Sequence, residues 1–171
     1  MLQVFGMTRY KRILFLDADT YVKGPLDALL LMDLAGKTLG VTKDIRNKKW
    51  VETFNSGVML LVPSLPEHKR LLGLLYSGMQ WEFVMADQGF LNSVYGDDWH
   101  EIGFVYNANL ALYRFQRAFW KAEGGGQALE KVAIIHYTMQ KPWKCRSQGP
   151  YGAICDLYKN DTSSPLAPSC S

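Results

Sequence analysis

The apolar run Ile13-Leu14-Phe15-Leu16 stops abruptly at Asp17-Ala18-Asp19-Thr20, and no other stretch constrains the fold as much. Four apolar residues in a row predict a strand buried on both faces, as in the parallel sheet of an α/β domain. Ligands of open α/β sheets bind beyond the carboxyl ends of the strands, where Asp17 and Asp19 stand. Residues two apart on an extended chain point the same way. Both carboxylates can therefore converge on one hard cation, Mg²⁺ or Mn²⁺, with small Ala18 leaving room between them. Acid pairs after strands also serve as turn residues and caps, so other segments must decide.

The 171 residues, 48% of them hydrophobic, suffice for one globular domain with its own core. A net charge of +3, with basic residues dispersed apart from a loop carrying Lys43, Arg46, Lys48 and Lys49, argues against nucleic acid as a partner. No apolar run is long enough to span a bilayer and the N-terminus lacks signal-peptide order, so no membrane segment is expected in this chain. Cys145, Cys155 and Cys170 are too few and too late for a disulfide framework, and they lack zinc spacing.

Leu26, Leu29, Leu30 and Leu34 recur at helical spacing, with Pro25 at the start and Gly36 as the stop. Thr38 to Thr42 reads as a short strand before the basic loop. In Phe54-Asn55-Ser56-Gly57-Val58 a polar turn opens into an apolar strand ended by Pro63. Asn55 and Ser56 offer hydrogen bonds, and Gly57 allows close backbone approach, which suits hydroxyl-rich ligands. Leu65 to Tyr76 reads as a helix, and a second helix starts near Ala86-Asp87-Gln88-Gly89, where Asp87 could be its N-cap. The segment from Ile102 to Trp120 is aromatic and irregular, and Gly124 to Gly126 reads as a surface loop. Val132 to Ile135 repeats the first strand's pattern and ends in His136, with Lys141-Pro142-Trp143 close behind.

If the two strands are neighbours in one sheet, Asp17, Asp19 and His136 meet at one end. An imidazole beside two carboxylates favours Mn²⁺ over Mg²⁺. Lys141 adds positive charge where a diphosphate held by that ion would extend.

Together Leu16-Asp17-Ala18-Asp19-Thr20, Phe54-Asn55-Ser56-Gly57-Val58, Asp87-Gln88-Gly89-Phe90-Leu91-Asn92, and His136-Tyr137 with Lys141-Pro142-Trp143 resemble glycosyltransferase family 8, the glycogenin-like retaining enzymes. The resemblance covers roughly Phe5 to Trp143. It implies an α/β GT-A fold with a mixed, mostly parallel central sheet flanked by helices, over residues 1–150, and leaves 151–171 as an irregular tail. It further implies Mn²⁺ (or Mg²⁺), a UDP-sugar donor and a carbohydrate or protein hydroxyl as acceptor; a homodimer is one assembly to expect. Carried over by position, Asp17, Asp19 and His136 match the metal ligands. Ala18, Asn55, Ser56 and Lys141 match donor contacts, and Asp87 with Gln88 match the catalytic pair beside the anomeric carbon. The family's N-terminal nucleotide-binding strand and helix precede the point where this chain starts, so a truncated domain is expected. Its compartment would be the cytoplasm if glycogenin-like, or the Golgi lumen if a missing segment carries an anchor. Val84 replaces a sugar-binding aspartate of glycogenin, and Thr138-Met139-Gln140 is shorter than glycogenin's loop by one residue and lacks its glycine. The competing readings are a catalytically impaired fragment that acts by binding or is inert, and a metal-dependent phosphohydrolase. The latter leaves Asn55, Gln88 and Lys141 unexplained.

Overall fold

The computed structural model describes residues 1–46, 49–115, 117–123 and 128–162. Its strands are β1 (Ile13–Leu16), β2 (Thr20–Val22), β3 (Leu39–Arg46), β4 (Lys49–Leu61), β5 (His100–Glu101), β6 (Ala108–Asn109) and β7 (Ile134–His136). They form a four-stranded sheet in the order β1-β4-β3-β5 and a three-stranded sheet in the order β2-β7-β6. Helices α1 (Asp27–Leu30), α2 (Leu65–Tyr76), α3 (Ala86–Tyr95), α4 (Leu110–Phe115), α5 (Arg117–Glu123), α6 (Ala128–Lys131) and α7 (Gly152–Thr162) surround them.

Strand β4 is the axis of the larger sheet because its apolar run is buried on both faces. Successive side chains alternate across a strand. Met59 and Leu61 accordingly join Phe5, Leu71, Phe90 and Leu91 in the core under α2 and α3. Val58 and Leu60 point the other way, to Leu29, Leu34, Ile102 and Ile134, between the two sheets. A third core, with Leu110, Trp120, Ile135, Tyr137 and Ile154, fills the space around the smaller sheet and α7. Helix α2 spans the residues its sequence predicts. Ser64 caps it, the hydroxyl accepting from the Glu67 N–H at 3.4 Å, and Pro66 sits in the first turn where its missing N–H costs nothing.

The sheets are mixed, as expected, but not mostly parallel. β4 runs antiparallel to both β1 and β3, and β2 antiparallel to β7; among the described residues only β3–β5 and β6–β7 are parallel. β1 ends the larger sheet and is only half buried, not covered on both faces. The predicted turn at Asn55 and Ser56 is interior to β4, and much of the predicted basic loop is strand: β3 and β4 pair from Leu39↔Leu61 to Arg46↔Lys49. Lys43 there bonds Glu52 at 3.2 Å. Lys48, Gly124 to Gly126 and Ser163 to Ser171 lie outside the described residues. The helical spacing from Leu26 to Leu34 yields a single turn, α1, after which Ala35 and Gly36 take positive φ.

The expected irregular tail is helical over Gly152–Thr162. Apolar Ile154, Leu157 and Tyr158 share one face of α7 and pack into the third core. Cys145 and Cys155, too few with Cys170 to suggest a disulfide framework, form a single disulfide that ties this helix to the chain following Pro142. Among the described residues no helix is long and apolar enough to cross a membrane.

Candidate active site

The chain passes from the larger sheet to the smaller one through Asp17, Ala18 and Asp19. β1 pairs with β4 as far as Leu16↔Val58, and the Asp17 N–H donates to the Gly57 carbonyl at 2.8 Å. The crossing is tight, because the carbonyl of Asp17 accepts from both the N–H (3.0 Å) and the hydroxyl (2.7 Å) of Thr20. β2 then starts antiparallel to β7, with Thr20 opposite His136. The acids and the imidazole thus meet across two sheets. They are not on neighbouring strands of one sheet, as their sequence pattern suggested, because β1 and β7 belong to different sheets.

His136 Nε2 lies 3.4 Å from Asp19 Oδ1 and 3.9 Å from Asp17 Oδ2. One ligand atom from each of the three residues lies within 4.8 Å of the others. Asp19 and His136 are buried and Asp17 is partly exposed, so the cluster opens on one side. Lys141 reaches from 122 residues away to pair with Asp19 Oδ2. Hydrogen bonding by His136, and then by Lys141, holds the Asp19 carboxyl well below the usual range against its burial. Burial pushes the Asp17 carboxyl up; His136 and Lys141 oppose this, and the charges of Asp19 and Asp87 add to it. Asp17 and Asp19 thus present two carboxylates beside one imidazole, with Lys141 paired to Asp19 and the charge of Asp87 felt at Asp17. That donor set fits a divalent cation in charge and in ligand type, and separations of 3.4 and 3.9 Å approach the roughly 3 Å between neighbouring ligands bound at ~2.1 Å.

The other predicted residues surround this cluster. Ala18 is exposed at its rim. Gly57 lies against the imidazole: a Cβ there would stand 2.0 Å from His136 Cε1, so the glycine makes room for the ring. Asn55 and Ser56 are buried one and two residues before it. Helix α3 is fastened to this part of β4 by two side-chain amides one turn apart. Asn92 bonds both the N–H (2.8 Å) and the carbonyl (2.9 Å) of Phe54, and Gln88 Oε1 accepts from the Ser56 N–H at 3.2 Å. Gln88 Nε2 donates to Asp44 Oδ2 at 2.7 Å. The amide of Gln88 is thus committed to the protein, whereas Asp87 beside it is exposed. Asp87 does not cap α3 through its side chain; its Oδ1 accepts from the Gln88 N–H at 3.1 Å. Ala86, just before it, has φ +48° and ψ −132°, a conformation worth roughly 1–3 kcal/mol of strain for a residue with a Cβ.

Two buried residues of this region were missed. Asp44 sits in a run read as basic loop, yet it anchors Gln88. Asn107, in the aromatic stretch, contacts both Asn55 and His136 at 3.0 Å. For Asn107 the available signal was local, a short polar side chain beside Val105 and Tyr106 that must find a partner when buried, whereas Asp44, between Lys43 and Ile45, carried none.

Two mixed sheets flanked by helices, with acids and an imidazole at their crossing, define a GT-A glycosyltransferase fold. The glycosyltransferase GlyE of Streptococcus pneumoniae TIGR4 superposes with a TM-score of 0.65 at 22% identity, covering 92% of this chain and 42% of that one. The galactosyltransferase LgtC, solved with donor and acceptor sugar analogues, gives 0.59 at 19% identity over 93% of this chain and 63% of that one. The family model "Glycosyl transferase family 8" matches residues 2–146, and the chain belongs to that family. It is 30% identical to human glycogenin-2 over 162 residues and 31% identical to mouse glycogenin-1 over 149. These alignments cover 91% and 83% of this chain but 29% and 40% of the relatives, so the chain spans less than half the length of either.

Proposed function

We propose that this chain forms the metal- and donor-binding part of a retaining glycosyltransferase that moves a hexose or related sugar from a UDP-sugar to a hydroxyl acceptor with Mn²⁺. The observation that carries the reading is the convergence of Asp17, Asp19 and His136 at the crossing between the sheets. Membership of family 8 supports it. Asp17, Asp19 and His136 would hold the ion, and their mixed oxygen and nitrogen donors suit Mn²⁺ better than Mg²⁺. Once bound, the ion supplies positive charge against the negative charge that develops on a diphosphate leaving group.

The protein's own groups divide the remaining work. Lys141, about half exposed, can turn from Asp19 to the diphosphate. Asn55 spends its Oδ1 on Gly57 and Asn107, and among the described residues nothing accepts from its Nδ2, which is left for a sugar hydroxyl. Ala18 and Ser56 line the donor's path. Asp87 is the carboxylate free to face the sugar, and Gln88 acts by holding α3 on β4. In the transfer the bond from the anomeric carbon to the phosphate oxygen breaks and a bond to the acceptor oxygen forms. The acceptor's proton passes to the departing phosphate. In a double displacement Asp87 would attack the far face first, as the nucleophile does in retaining glycosidases.

The test is turnover of UDP-sugars with Mn²⁺ and a panel of sugar and peptide acceptors, followed by release of UDP. Asp19→Asn should lower the rate by more than ~100-fold, since even partners of metal ligands are worth 10–100-fold. Turnover unchanged by D19N, or by a chelator, would refute the metal-dependent reading. Absence of turnover together with absence of Mn²⁺-dependent UDP binding would favour a binding or inert role.

A further inference from the structure

We infer that Asn107 is a positioning residue for the imidazole of His136: it keeps the ring proton on Nδ1, so that Nε2 is left for the cation. The consequence for metal binding rests on the function proposed above, whereas the proton's position rests on hydrogen bonds alone.

The Gly57 backbone N–H can only donate, and its partner 3.0 Å away is the side chain of Asn55, so the atom there is the amide oxygen. That same Oδ1 lies 3.0 Å from the side chain of Asn107, which must therefore present its NH₂. The oxygen of Asn107 is then turned to His136 Nδ1, 3.0 Å away. An amide oxygen accepts and never donates. Nδ1 must carry the hydrogen. One backbone amide thus dictates the orientation of two side-chain amides and, through them, the tautomer of a ring 79 residues further along the chain than Gly57. Flipping either asparagine would oppose like groups at hydrogen-bond distance.

Burial makes the relay binding. Asn55 is 8% exposed, Asn107 2% and His136 4%, so a broken link is shielded from bulk solvent and costs the desolvation of its polar groups. On the far side of the ring, Nε2 faces Asp19 Oδ1 and Asp17 Oδ2. Two carboxylates would draw the proton of a neutral imidazole to Nε2, the tautomer that has no lone pair for a metal. Asn107 opposes that pull. With Nδ1–H fixed, Nε2 holds either a proton shared with Asp19 or a cation, and never both. Partners of this kind behind a ligating histidine fix its tautomer and ring orientation in metal sites generally. Gly57 contributes twice, donating the anchoring hydrogen and leaving room for the ring.

The chain has three histidines, His68, His100 and His136, so its imidazole nitrogen spectrum is readily assigned, with His136→Gln marking the third. Long-range proton–nitrogen correlation spectra of the metal-free protein, well above the pH where imidazole titrates, should give the Nδ1–H pattern for His136. Asn107→Ala should convert it to Nε2–H, and Asn107→Asp, which still accepts from Nδ1–H, should keep the native pattern. In parallel, Mn²⁺ titrations followed by electron paramagnetic resonance should show affinity weakened about 10–100-fold in N107A and less in N107D. A wild-type Nε2–H pattern overturns the inference, even if N107A does not fold, and so does an unchanged pattern in folded N107A. If the patterns follow expectation but the wild-type protein binds no Mn²⁺, the metal reading fails while the assignment of the proton stands.

Discussion

Gly57 is the residue on which most of the site's geometry turns. Its hydrogen atom stands where a methyl would lie 2.0 Å from His136 Cε1, so Gly57→Ala must move either the strand or the ring. β4 is held on both sides by other strands, and the ring is the part able to yield. We expect G57A to remain folded, to lose about 1–3 kcal/mol of stability to overpacking, and to bind Mn²⁺ much more weakly. Urea melts and metal titration of the same preparation check this; native-strength metal binding would mean that the ring tolerates displacement. Asp44 offers a separate test. Asp44→Ala leaves the buried Nε2 of Gln88 without its partner at 2.7 Å, which should cost about 1–3 kcal/mol. It should also loosen α3 where Asp87 is held. A urea midpoint equal to wild type would show that Gln88 finds another acceptor.

At the scale of elements, the disulfide makes α7 part of the fold. Cys145 and Cys155 are ten residues apart, and closing a loop of that size contributes about 3 kcal/mol through the unfolded state. The Cys145→Ser, Cys155→Ser double variant should lose that amount. It should also expose Tyr151 and Ile154, detectable as faster amide exchange in Gly152–Thr162 than in α2 or α3. Equal protection in variant and wild type would mean that packing alone retains the helix. These elements also mark how far sequence could be read. The ends of β1 and β7 were legible because an apolar run stopping at a polar group is a local pattern. Helix α2 was legible through the spacing of its leucines, and the structure adds its Ser64 cap. Which sheet each strand joins was not, because pairing is decided by contacts distant in sequence: nothing in residues 13–16 says that β4 will lie antiparallel beside them. The cysteine pair was hidden because the ten-residue spacing has no meaning until α7 folds back. Helix α7 itself was legible in principle, since Ile154, Leu157 and Tyr158 are helically spaced, but the polar residues around them masked it. The grouping of Asp17, Asp19 and His136 was read from residue types, whereas Asn107 joins them only through a contact with His136, 29 residues away.

The molecule as a whole keeps buried phenols in two separate cores, and this sets its response to alkali. Tyr95 lies in the core under α2 and α3; burial, and then its hydrogen bond to Glu67, push its phenol up. Tyr137 lies in the core around the smaller sheet, where burial, and then Tyr21 and Tyr158, do the same. Tyr21 packs against that second core and is pushed up to about 12, by burial first and then by a hydrogen bond with Asp161. In the unfolded chain phenols release their protons near pH 10. A raised value in the folded state means that the folded protein binds the proton more tightly. Its contribution to stability is therefore complete below pH 10 and is lost as pH rises toward the folded value, which for Tyr21 is about 12. Because the phenols sit in both cores, neither half of the molecule is spared, and alkaline unfolding should be steep and fall between these limits. The tyrosinate absorbance contributed by Tyr21, Tyr95 and Tyr137 should rise together with the loss of far-ultraviolet circular dichroism. Tyr137→Phe removes one of these protons and the 2.8 Å bond to the Ile154 carbonyl, so it should cost about 0.5–1.5 kcal/mol at neutral pH while making the alkaline step shallower. Absorbance of all nine tyrosines rising in full near pH 10 with the circular dichroism unchanged would mean that these three rings titrate in the folded protein as they do in water, and that burial in the two cores does not hold their protons.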